Sequence, residues 1–402
     1  MKRLLQIGAA LNCGAPGKIA EQIGLLAMSK GWDVYMAHGL RHSNPSKLKT
    51  IPLVTPWQEK VHALYSLLFD GHGLGSSKGT KRLVDWIEEN QPDIIHLHNV
   101  HGYFCNFKIL FEYLDTTDIP IVWTMHDCWP FTGRCFHFEG IGCTKWKTGC
   151  FDCKAEKGYT VSPFCDRSKE LYELKKRLFS SVKNLTMVPV SEWQASFLQE
   201  SFLKNCPAEV IHNGIDLNKF ISTDGNRLRE KYALQDKFVI LGVAAPWNKR
   251  KGLDDFIQLS KKLPDDQFKI VLVGLKKEQL RTLPPNIIGI TRTESQQELA
   301  EFYSMADMFC NMTYLDNFPT VNLESLACGT PVITYRTGGS PEAIDAKTGI
   351  VVEQGNIEQI VEAICYLQKN PLLPSDCRKR AEDNFDKDKC FEKYITLYDN
   401  LI

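Results

Sequence analysis

No stretch of the 402 residues approaches the roughly 18 consecutive apolar residues of a membrane-spanning helix. An excess of one charge sign is also missing. The 48 basic residues balance 48 acidic ones, which excludes a general nucleic-acid binder. The opening MKRLLQIGAAL has a basic start, but IGAAL is too short for the apolar core of a signal peptide and runs into a Gly-rich turn. A first buried strand is the better reading. It predicts a cytoplasmic protein, in which the sequons at Asn184 and Asn311 carry no meaning. A complete P-loop is absent as well. Ile19 follows Gly17-Lys18 where Ser or Thr is required, and Asn12 stands where the first Gly belongs. Two readings of this turn stand: Gly14 and Gly17 let backbone approach a phosphate or an acceptor sugar, or the turn is purely structural. Finally, no histidine follows His212. All ten lie at or before His212, so imidazole chemistry must come from the first half.

Cysteine, by contrast, is plentiful. Most of the fourteen lie singly in apolar runs and read as core. Five crowd between Cys128 and Cys153, and four of them are spaced Cys135-x7-Cys143-x6-Cys150-x2-Cys153. One tight pair with two more distant ligands suits a structural zinc. The segment has weak hydrophobic periodicity and needs a staple, and disulfides are disfavoured in a reducing compartment. Unpaired thiols are the alternative.

The length fits two domains. Short apolar runs predict strands at Arg3–Ala10, Asp33–Ala37, 92–98, Ile119–Thr124 and Leu185–Val190, and then at Phe238–Ala245, Lys269–Gly274 and Ile287–Ile290. The most informative stretch runs from Ala306 to Glu342. Met308–Met312 reads as a buried parallel strand. Pro319 suits the first turn of a helix ending near Cys328, with Gly329 just beyond it. Pro331–Tyr335 is the next strand, and Ser340–Glu342 opens another helix. Two helix N-termini at the carboxyl ends of neighbouring parallel strands favour an anion. Asp316 and Glu324 lie among these donors and suit hydroxyls, although each alone also reads as a cap or a solvated carboxylate. The cations Lys249, Arg250 and Lys251 crowd a helix start, where the dipole disfavours them unless an anion is bound. At strand ends in the first half stand His98, Asn99, His126 and Asp127. They are candidates for a wet site, or else bystander histidines with a capping aspartate.

Asp316-x7-Glu324, followed by Ala-Cys-Gly-Thr-Pro-Val and then Gly338-Gly339-Ser340-Pro341-Glu342, resembles the group 1 family of retaining glycosyltransferases with the GT-B fold. Some members of the capsule and colanic-acid type look similar. Asn213-Gly214-Ile215-Asp216 and Lys251-Gly252 extend the resemblance. It implies an α/β architecture of two Rossmann-like domains facing each other across a cleft. Residues 1–206 would form the acceptor side with a Cys-rich insertion at 128–165, and 207–220 the linker. Residues 221–377 would bind a nucleotide sugar, and a helix at 378–402 would cross back. The implied reaction moves a sugar from that donor to a hydroxyl of a glycan or lipid-linked glycan, at the inner face of the cell membrane. It needs no cofactor for catalysis. Capsule, lipopolysaccharide or exopolysaccharide assembly is the implied setting.

By the same resemblance, His126 lies close to the transferred sugar, and Asp127 fixes its tautomer or binds acceptor hydroxyls beside His98 and Asn99. Lys251, with Arg250, meets the diphosphate. Asp316 and the amides after Phe318, from Thr320 on, hold the sugar and its diphosphate, with Gly339 and Glu342 completing the donor set. Glu324 takes the ribose and Arg292 sits at the base. Three positions depart from the family pattern: Asp316 replaces the commoner Glu, Pro319 a Gly, and Ala245 an Arg. The rival readings are a GT-B nucleotide-sugar epimerase and a zinc-containing binding protein without turnover.

Overall fold

The computed structural model describes residues 1–154 and 162–402; part of the expected insertion, residues 155–161, lies outside the described residues. The chain divides into two compact units, Met1–Ile211 with Phe391–Ile402, and His212–Cys390.

The first unit runs β1 (Arg3–Leu11), α1 (Gly14–Ser29), β2 (Asp33–Ser43), β3 (Lys49–Pro52), α2 (Pro56–Phe69), α3 (Ser77–Asn90), β4 (Ile94–Leu97), α4 (Phe107–Leu114), β5 (Ile121–Met125), α5 (Ser168–Ser181), β6 (Leu185–Pro189) and α6 (Glu192–Glu200). Its six strands are parallel in the order β3-β2-β1-β4-β5-β6. β4 and β5 are buried at every residue, as befits strands covered on both faces. Three of its helices start where short polar side chains cap them. Thr55 and Gln58 form a capping box on α2, and Asn106 and Ser191 cap α4 and α6.

The second unit runs α7 (Asn226–Lys231), β7 (Phe238–Val243), α8 (Leu253–Ser260), β8 (Phe268–Val273), α9 (Lys277–Leu280), β9 (Ile287–Ile290), α10 (Gln296–Met305), β10 (Met308–Asn311), α11 (Thr320–Ala327), β11 (Val332–Tyr335), β12 (Gly349–Val352), α12 (Ile357–Lys369) and α13 (Pro374–Asn384). Its strand order, β12-β11-β10-β7-β8-β9, is again all parallel. Ile357, Ile360, Ile364 and Leu367 lie along one face of α12 and are buried. Each such side chain contributes roughly 1.5–3 kcal/mol of burial. A final helix, α14 (Lys387–Leu401), ends the chain. The break at Phe385–Asp386 divides what the sequence suggested as one charged helical stretch from Arg378.

Both sheets share one arrangement. The strand order reverses between β1 and β4 in the first unit, and between β7 and β10 in the second. Open α/β sheets bind ligands outside the carboxyl ends of the strands at such a switch point.

Candidate active site

In the second unit, the loops that follow β7 and β10 meet at the switch point. Lys251 closes a 3-10 turn, Lys249–Lys251, capped by the Asn248 side chain. Its Nζ lies 2.7 Å from Asp316 Oδ2. Arg250 is half-buried beside them. Burial pulls its pKa down, and the Asp316 carboxylate opposes that. The Tyr314 N–H donates to the Arg250 carbonyl at 2.8 Å, which stitches the two loops together. This closeness requires glycine. Gly252 has φ +76° and Gly338 φ +55°, and a Cβ would overlap the carbonyl oxygens of Met312 and Asp316 respectively. Gly338→Ala should therefore lower stability by roughly 1–3 kcal/mol and raise the donor KM. Gly31→Ala has a similar backbone (φ +87°) but open space around the new Cβ, so it isolates the overlap. Thermal melts and donor kinetics of both variants check this, and equal losses would contradict it.

Pro319 is the N-cap of α11 rather than part of its first turn, and no side chain caps that helix. The other expected helix start, Ser340–Glu342, is a single 3-10 turn, because Ile344 is extended. Of these two expected starts, α11 alone is an α-helical N-terminus, with Thr320 as its first residue. Phe318 is buried. Its carbonyl accepts from Asn213 Nδ2 at 3.2 Å, and its ring lies 4.7 Å from that of His212. His212 Nε2 in turn reaches Glu342 Oε2 at 3.1 Å. Glu324 accepts a hydrogen bond from the buried Tyr303 hydroxyl at 2.9 Å. The Gly339 N–H donates to the Asn317 carbonyl at 3.0 Å. Arg292 is not brought into this group. It stands exposed after β9, two strands from β7.

In the first unit, the loop expected at Asn12–Lys18 is shorter than its composition suggests, because α1 already begins at Gly14. Gly14 and Gly17 are thus first-turn residues. A cavity of about 180 Å³ lies at the switch point, lined by Gly17 together with His98, Asn99 and His101. Gln6 sets the protonation of the rings. Its Nε2 donates to the Ala20 carbonyl at 3.0 Å, which turns its Oε1 toward His98 Nε2 at 2.9 Å. His98 Nε2 is therefore the donor, and its Nδ1 accepts from His126 Nε2 at 3.1 Å. Neutral His126 then carries its lone pair on Nδ1. Burial depresses His98 well below the ordinary histidine range and His126 to about 4. Asp127 Oδ2 accepts from His101 Nε2 and from Asn99 Nδ2, both at 2.7 Å, and its Oδ1 from the Trp129 N–H. Burial alone would raise this carboxyl, but His101 together with the Trp129 N–H and His137 outweighs it and holds the group below the usual range. Asp127 thus orients His101, not His126.

Residues 224–384 match the family model of glycosyl transferases group 1, and residues 29–219 that of glycosyltransferase family 4. The chain is a glycosyltransferase with a group 1 domain. This glycosyltransferase is 24% identical, over 99% of its length, to the whole of WcaC, the putative colanic acid biosynthesis glycosyl transferase of Escherichia coli K12. It is 30% identical to CapM, a capsular polysaccharide biosynthesis glycosyltransferase of Staphylococcus aureus, over 47% of this chain and 53% of that one. The structure of Anabaena HepE in complex with UDP matches it with a TM-score of 0.69 over 100% of both chains at 13% identity, a likeness of fold. The fold is GT-B. Among the described residues, no helix of the glycosyltransferase is long and apolar enough to cross a membrane.

Several residues of these two groups escaped the sequence reading. His101 was visible as one of three neighbouring histidines but is set apart only by Asp127. Gln6 is the one polar residue from Leu4 to Leu11 of β1, which was a usable signal. Tyr303 and His212 had none. The histidines also couple stability to acid. The Gly75 N–H donates to His62 Nε2 at 2.9 Å, which needs the ring neutral, and burial holds His62 near 4. In the unfolded chain these rings titrate near 6.5. Below that pH the unfolded chain binds protons that the folded chain refuses. Stability is therefore full above about 6.5 and falls as pH drops toward 4. His62 alone should account for on the order of 3 kcal/mol at the bottom of that window. Denaturant midpoints between about pH 7.5 and 5 should fall steadily, and a flat profile would contradict this.

Proposed function

We propose that this glycosyltransferase moves a sugar from a nucleoside diphosphate sugar to a hydroxyl of a glycan or lipid-linked glycan, with retention at the anomeric carbon, in the assembly of a cell-surface polysaccharide. The observation that carries the reading is the pairing of Lys251 with Asp316, beside Arg250 and the uncapped N-terminus of α11. A departing diphosphate gains charge, and two cations with free helix amides supply the countercharge that a divalent ion would otherwise bring. The carboxylates Asp316 and Glu324 next to that site suit sugar and ribose hydroxyls. The names of WcaC and CapM support the polysaccharide setting, and HepE was solved with UDP-glucose.

The test is a thermal-stabilisation screen of UDP-, GDP- and ADP-sugars. One nucleotide class should stabilise the protein, by about 2.7 kcal/mol at a concentration of 100 Kd. No stabilisation by any of them would overturn the reading. Conversion of the stabilising donor to an epimer without acceptor would replace transfer with epimerisation.

A further inference from the structure

Between β5 and α5 the described residues form only three 3-10 turns, Trp129–Phe131, Glu139–Ile141 and Lys145–Lys147. Yet Trp129, Phe131, Phe138 and Trp146 are all buried in the core of the first unit. The described part of the segment has no longer helix or strand to hold this packing, only short turns and local backbone hydrogen bonds. Its four cysteines line one cavity of about 170 Å³, and Arg134 lines it with them. None of the four is in a disulfide. The backbone N–H of Gly133 is aimed at Cys150 Sγ at 3.2 Å. A thiol sulfur accepts weakly and a thiolate well, and such amide donors commonly orient metal-bound ligands. Among the described residues, no three side chains as placed form a ready coordination group, so a metal would draw the thiols inward.

We propose that this cavity takes one Zn²⁺, held by Cys135, Cys143, Cys150 and Cys153 as a closed structural site. Four thiols release four protons to solvent, and the four thiolates with the dication carry a net charge of about −2. Two basic side chains are buried beside it. Arg134 is 1% exposed and pairs with Asp70 at 3.1 Å. Lys175 Nζ is buried and donates to the carbonyls of Trp129 at 2.8 Å and Thr132 at 2.9 Å. The site has a consequence for the histidine group. Phe136, next to Cys135, stacks on His101 at 4.3 Å, and its carbonyl accepts from the Cys128 N–H at 2.9 Å. Zinc would thus fix the ring that backs His101.

Protein purified without added metal should contain about one zinc per chain by elemental analysis. The zinc should be lost in Cys150→Ser and kept in Cys365→Ser, whose thiol lies on α12 in the other unit. Exchange for Co²⁺ should give the ligand-field and thiolate charge-transfer bands of a tetrahedral sulfur site. If Cys150→Ser does not fold, the cobalt spectrum of the unmutated chain decides alone. Metal content near zero with all four thiols reacting freely in the folded protein would overturn the site. So would a disulfide between any two of them, or zinc retained in both Cys150→Ser and Cys135→Ser.

Discussion

Lys251→Ala should lower kcat by on the order of 10²–10³, the cost of removing a preorganised partner of charge that grows in the transition state. The pairing with Asp316 makes the expectation richer than loss of one cation. At 2.7 Å the Asp316 carboxylate already neutralises Lys251 while the donor is absent. Removing the lysine therefore leaves a carboxylate facing the diphosphate, so affinity for free nucleoside diphosphate falls as well. Asp316→Asn should do the reverse to binding. It frees Lys251 and tightens the nucleoside diphosphate, yet slows transfer if Asp316 holds the sugar. Glu324→Gln should act chiefly on the donor KM, because a ribose contact is the same before and during reaction. Steady-state kinetics at saturating acceptor, with calorimetry of the free nucleotide, separates the three. Arg250 offers partial substitution, so Lys251→Ala is compared with the variant that also lacks Arg250. Unchanged kcat in that double variant would place the leaving group elsewhere.

The two parallel sheets were legible because buried parallel strands concentrate Ile, Val and Leu into short runs, as at Ile94–Leu97 and Val332–Tyr335. Elements without that signature were not. β2 continues past Ala37 through the polar residues to Ser43, because the chain re-pairs with β1 after a register shift between Gly8 and Ala10. β3 is a sheet-edge strand of four residues, none of them buried, and carries no alternation to read. In the donor group, Lys251 and Asp316 were readable from motif spacing, but their mutual ion pair was not, since it depends on Gly252 letting the loop after β7 approach the loop after β10. The same holds for Asp127. A carboxylate next to His126 in sequence was expected to serve that ring, whereas the strand end turns it toward His101. Sequence adjacency at a strand terminus sends neighbouring side chains to different faces.

His126→Ala should slow transfer by on the order of 10² and leave the affinity for free nucleotide unchanged. The nucleotide is read as belonging to Lys251, Glu324 and α11 in the second unit, and His126 directly follows β5 of the first. With its pKa near 4 the ring is neutral at working pH. It is therefore expected to act through hydrogen bonding rather than as a charged group, with one edge on His98. A neutral role has a signature in the pH profile. kcat should show no ionisation near 6.5 from this group, and its acid limb should lie closer to pH 4. A structural explanation is separable. His126→Asn keeps a donor for His98 Nδ1, so if it restores the rate, the ring serves to hold His98 and does not meet the sugar. Equal losses of nucleotide affinity and rate in His126→Ala would instead mean that the first unit's histidines act on the donor site as a whole.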